Sequence, residues 1–217
     1  MTPAPLFDRR DFRIPDGIAH VCAAGETAFL RRHDAALLRY AVDKSNGMPG
    51  RHAQEAQVER ARELLAKSWG VTPEDIGFVS SVADGVSLVV ESLDWRAGDN
   101  VCFDSNEYPS IVAPLALRPR AELRFAGGSE PNRLAALVDT RTRLIGVSYV
   151  SYLTGERFDL AALRRLADSV GALLVVDFTQ AAGYLPIEAS LADFAFSACY
   201  KWLLGMTGVA AAYWNRA

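Results

Sequence analysis

Two hydrophobic periods divide the chain near residue 70. Upstream, apolar positions recur at helical spacing. Phe29, Leu30, Leu37, Leu38 and Ala41 mark one side of a helix over about 24–42, and Val58, Ala61, Leu65 and Trp69 mark a second over about 51–69, which Gly70 would stop. The KSNGMPG segment between them, Lys44 to Gly50, is rich in turn formers and predicts a loop. Residues 1–20 carry three of the ten prolines and no clear period, which predicts an extended arm. From Asp75 onward short apolar runs alternate with amphipathic segments. IGFVS (Ile76 to Ser80), the run ending at Asp104, AELRFA, RLIGVSYV, ALLVVD, FAFSA and GVAAAYW (Gly208 to Trp214) predict strands. ADGVSLVVESL (Ala83 to Leu93), PNRLAALVD (Pro131 to Asp139) and FDLAALRRLADSVG (Phe158 to Gly171) predict helices. Strands alternating with helices predict an α/β fold, with a mostly parallel sheet covered on both faces.

Composition leaves that picture intact and removes several functions. With half of its 217 residues hydrophobic and 23% charged, the chain is long and apolar enough for one large domain, or one domain plus an arm. A net charge of −3 gives no reason to expect nucleic acid or an anionic membrane surface as partner. No apolar run approaches the ~20 residues that span a bilayer. Arg9-Arg10 is followed by Asp11, Arg13 and Asp16 rather than an apolar core, so it does not read as an export signal. Cys22, Cys102 and Cys199 are odd in number and fit no metal-ligand spacing. They point to reduced thiols, a cytoplasmic location and no metal site.

Candidate chemistry sits where the strands run out, the edge at which open α/β sheets bind ligands. ALLVV ends in Asp177, with Gln180 three residues on, and FAFSAC ends in Tyr200 and Lys201. A carboxylate and an amine at one sheet edge are costly unless paired, and together they suggest a cofactor between them. Pyridoxal phosphate (PLP) fits: the lysine would form the imine and the aspartate would keep the ring nitrogen protonated. Each residue also has a plainer reading. Ser80-Ser81 opens a helix whose first turn could hold a phosphate, or is an ordinary serine cap, and Asp84 places a negative charge nearby. Tyr108, after Glu107, could stack on a flat ring or simply pack. Ser148, Ser151 and Tyr152 could reach a ligand or shape the turn toward Gly155. Asp177 could cap a helix, Gln180 could be plain surface and Lys201 could snorkel to solvent.

The strings VDFTQAAG and SACYKWLLG resemble the class V aminotransferase group of fold-type I PLP enzymes, which includes cysteine desulfurases, selenocysteine lyases, isopenicillin N epimerase-like proteins and kynureninases. The likeness extends through SVADGVSLVVESL, RAGDNVCFDSNEYPS and VSYVSYLTGERFDLAALRRLA, covering roughly residues 70–215. It implies the three-layer large domain of that fold type, here residues 71–217 after an N-terminal arm and helices in 1–70, and a homodimer. It implies Lys201 as the Schiff-base lysine, Asp177 as partner of the pyridine nitrogen and Gln180 as contact to the ring hydroxyl. Val82 and Ala83 would cradle the phosphate, Tyr200 would be a phosphate ligand, and Tyr108 would stack on the ring. The implied activity is PLP-dependent chemistry on a small amino acid, with transamination, elimination or desulfuration, and epimerisation all open. Departures near Tyr152 and at Ala198 argue against a housekeeping cysteine desulfurase. Members continue beyond the position of Ala217 into a smaller domain, so a truncated, non-catalytic PLP-binding domain or partner subunit is the alternative. A nucleotide-binding domain is disfavoured, since no G-x-G-x-x-G follows a strand.

Overall fold

The computed structural model describes residues 7–117, 121–127 and 131–216. Its seven strands form one sheet in the order β1-β7-β6-β5-β4-β2-β3. The strands are β1 (Ile76–Val79), β2 (Asn100–Asp104), β3 (Glu122–Ala126), β4 (Thr142–Ser148), β5 (Leu173–Asp177), β6 (Phe194–Ala198) and β7 (Ala210–Trp214). Only β7 runs antiparallel to its neighbours, β1 and β6; every other pair is parallel. The expected mostly parallel sheet is therefore what forms, and the first and last strands become neighbours through β7.

Alternation along the buried strands builds three layers. Leu174, Val176, Ala211 and Tyr213 face one core, together with Trp69, Leu134, Leu163 and Ala167. Val175, Ala210 and Ala212 face the other, against Val82, Val86, Val90, Ile111 and Leu115. The first set of helices is α2 (Gly47–Trp69), α5 (Pro131–Ala135) and α6 (Leu160–Val170); the second is α3 (Val82–Glu91) and α4 (Pro109–Ala116). Strands apolar on both faces need covering on both faces, which is why the runs read as continuous rather than alternating. Gly85 permits a close approach: a Cβ there would lie 2.3 Å from the Phe196 ring, so α3 sits directly on β6.

Three expectations need correction. The first helix, α1 (Arg32–Ser45), starts eight residues later than the apolar spacing suggested, and Phe29 and Leu30 belong to the preceding segment. The turn-forming loop shrinks to Asn46, because Gly47 and Pro49 enter the first turn of α2, where missing or flexible backbone donors cost little. α4 was not anticipated, since PSIVAPLA carries two prolines; Pro109 occupies its first turn, and the interior Pro114 limits it to two turns. The apolar side of α1 also stays open, with Leu37 44% and Leu38 70% exposed.

Candidate active site

One cleft collects Ser81, Val82, Tyr108, Ser110, Ser148, Tyr152, Asp177, Thr179, Gln180, Ala198, Tyr200 and Lys201. Parallel β4, β5 and β6 bring Ser148, Asp177 and Ala198 to their carboxyl ends, Ser148 paired with Asp177 and Asp177 with Phe196, and the turn after β6 adds Tyr200 and Lys201. The cleft therefore lies at the edge where the fold leaves backbone and side chains free to meet a ligand.

Asp177 and Lys201 are 4% and 6% exposed. Among the described residues neither forms an ion pair with the other. Burial pushes the Asp177 carboxyl above the ordinary carboxylate range, against the opposing pull of Thr179 and Lys201. Its Oδ1 accepts the Thr179 amide at 2.7 Å. Burial also lowers the Lys201 ammonium, with the charges of Asp177 and Glu26 working the other way. The Lys201 Nζ stands 5.2 Å from the Tyr108 ring centroid and 5.7 Å from that of Tyr200, so two aromatic faces flank the amine. Burial raises the Tyr200 hydroxyl, and the charges of Tyr108, Glu26 and Asp177 add to that rise.

At the helix end of the cleft, the Ser81 hydroxyl accepts the Asp84 amide at 3.1 Å, so the serine cap forms. Asp84 is turned back onto Ser80, accepting from its amide at 3.2 Å and its hydroxyl at 3.0 Å. Val82 lines the cleft; Ala83 stands beside it in the first turn of α3 but does not. Tyr108 immediately precedes α4, and its ring meets that of Tyr152 edge-on, with centroids 5.0 Å apart. Gln180 reaches the cleft with its amide engaged elsewhere as well, by Ala24 and Trp202.

Two residues that spacing alone did not single out support this floor. Glu107 accepts from the Ser148 amide at 2.6 Å, the Ser148 hydroxyl and the Tyr108 amide at 2.7 Å. Burial pushes its carboxyl up to about 7, and the charge of Asp177 adds to the rise. Thr179 accepts the Ala198 amide at 2.9 Å, joining the segment after β5 to the end of β6. The only sequence signal for either is a polar residue beside a strand end. Cys199 is raised by burial and is not part of the cleft lining.

A buried amine, a buried carboxylate, an aromatic face and a helix start form a donor set that fits PLP. The fit rests on the charges: a ring N–H would answer Asp177, and a carbonyl carbon would answer Lys201.

The family model of the class-V aminotransferases matches residues 27–217. A probable cysteine desulfurase of Methanothermobacter thermautotrophicus is 31% identical over 166 residues, 72% of this chain and 42% of that protein. A cysteine desulfurase of Salmonella newport is 30% identical over 201 residues, 87% of this chain and 48% of that protein. The solved structure of a C-DES mutant with glycine covalently linked to its PLP cofactor superposes with a TM-score of 0.87 at 24% identity, over 96% of this chain and 60% of that one. That likeness establishes the shared fold. The chain spans about half the length of the curated relatives it matches. No helix among the described residues is long and apolar enough to cross a membrane.

Proposed function

The chain belongs to the class-V aminotransferase family, a PLP-dependent family, and from that premise we propose that its cleft holds PLP on Lys201 to activate the α-carbon of a small amino acid. When bound, the ring withdraws electrons from that carbon and makes its C–H acidic. Asp177 holds the ring nitrogen protonated, which keeps that withdrawal strong. The N-terminal turn of α3, at Val82 and Ala83, meets the phosphate with backbone N–H groups and the positive end of the helix dipole. Tyr108 supplies a ring face, Tyr200 a hydroxyl for the phosphate, and Gln180 a donor to the ring oxygen. Lys201, displaced from the cofactor by the substrate amine and with its ammonium weakened by burial, would then take the α-proton at its free Nζ and return it. The observation that carries this reading is the joint burial of Asp177 and Lys201 in one cleft without an ion pair between them. The names of the relatives favour cysteine as the first substrate to try.

The test is a titration of the purified chain with PLP, followed by borohydride reduction and peptide mass mapping. A visible band should form, reduction should fix the cofactor at Lys201, and Lys201→Ala should lose both. A chain with no band, or with adducts scattered over surface lysines, would refute the assignment. A second reading is PLP held without turnover. Turnover assays with cysteine, selenocysteine, alanine and kynurenine separate the two readings.

A further inference from the structure

Gln180 is held by two segments from opposite ends of the chain. Its Nε2 donates to the Ala24 carbonyl at 2.9 Å, and its Oε1 accepts from the Trp202 indole N–H at 2.9 Å. An indole N–H only donates and a carbonyl oxygen only accepts, so this pair of partners permits one orientation of the amide. With Oε1 held on Trp202 and one Nε2 hydrogen on Ala24, Gln180 keeps its second Nε2 hydrogen as a donor, beside one remaining lone pair on Oε1.

The surroundings hold that arrangement rigid. Trp202 directly follows Lys201, and its ring packs on Tyr184 with centroids 4.8 Å apart. The Tyr184 hydroxyl returns to the Gln180 carbonyl at 2.7 Å. Gly183, at φ +110, brings the two turns together backbone to backbone; a Cβ there would lie 2.3 Å from the Trp202 carbonyl oxygen. The lysine turn closes on itself through the Leu204 amide to the Lys201 carbonyl at 3.0 Å, with Leu204 in the left-handed region at φ 56. On the other side, the strap 22–27 is pinned a second time, where the Thr27 amide donates to the Tyr200 carbonyl at 3.3 Å.

We propose that Trp202 is a positioning residue that acts through Gln180. Its indole N–H and the Ala24 carbonyl set the amide so that a donor faces the cleft, and the same two bonds tie the N-terminal strap to the turn carrying Lys201. The ligand atom this donor suits is an oxygen with acceptor character, such as an ionised ring hydroxyl, rather than an N–H. That half rests on the PLP reading above; the tie between strap and lysine turn stands without any cofactor.

Hydrogen–deuterium exchange on the cofactor-free chain tests the tie. Trp202→Phe keeps the ring against Tyr184 and deletes only the N–H, so amides of the strap should exchange roughly tenfold faster. Gln180→Ala should do the same, and adding Trp202→Phe to it should change nothing further. Trp202→His, which restores a ring N–H, should recover much of the protection and serves if the phenylalanine variant folds poorly. Wild-type exchange in Trp202→Phe, or identical behaviour of the His and Phe variants, overturns the proposal. With PLP added, Trp202→Phe should shift the visible band or its pH midpoint, and an unmoved band overturns the donor-setting half. If the wild-type chain binds no PLP, the functional reading fails while the exchange result still decides the tie.

Discussion

Replacing Glu107 with Gln separates charge from shape at the floor of the cleft. The carboxylate takes three donors, two from Ser148 and one from the Tyr108 backbone, and burial lifts its pKa from 4.5 to about 7. An acid whose folded pKa is raised binds more protons folded than unfolded between those two values. Its folded state is therefore favoured at low pH, and that advantage is lost as pH rises through the window. A gap of about 2.5 units corresponds to about 3 kcal/mol, of which about 2.5 falls between pH 5 and pH 8. Gln cannot ionise, so Glu107→Gln should remove this slope. It should also cost a constant ~1 kcal/mol, because its NH₂ cannot accept one of the three donors. Urea unfolding of both proteins without cofactor, at several pH values from 5 to 8, measures the difference. The variant should gain on the wild type by about 2 to 3 kcal/mol across that range. Other titrating groups, Asp177 included, are common to both chains and largely cancel. Parallel curves would show that Glu107 is ionised throughout and that burial is not controlling its charge.

Asp177→Asn should separate stability from binding. It removes a buried charge while leaving the Thr179 amide an oxygen to bond, and the raised Asp177 carboxyl means the wild type loses stability as pH climbs above the ordinary carboxylate range. The cofactor-free variant should be at least as stable as wild type at pH 7 by urea midpoint, and should hold PLP about tenfold or more weaker by visible titration. Equal PLP affinity would remove Asp177 from its proposed role. Thr179→Val, near-isosteric, strands the buried Ala198 amide and should cost about 1–3 kcal/mol in urea unfolding. A loss under about 0.5 kcal/mol would mean that Thr179 does not join β5 to β6 energetically.

Local pattern carried much of this architecture. Apolar runs alternating with amphipathic segments gave a mostly parallel sheet covered on both faces, and Gly70 after a periodic run marked the end of α2. The failures are local conflicts. Two prolines hid α4, and apolar spacing over-extended α1 because Leu30 is buried in the segment before the helix, where helical spacing alone could not tell it from a helical position. At the cleft, the sequence by itself determined which chemical groups reach the strand ends: an acid at 177, an amide at 180, an amine at 201. Only the tertiary structure decided what those groups touch. Glu107 meets Ser148 across 41 positions, and Gln180 meets Ala24 across 156. A side chain's charge state and orientation follow from its partners and its distance from water, and both are set by segments that sequence spacing leaves far apart.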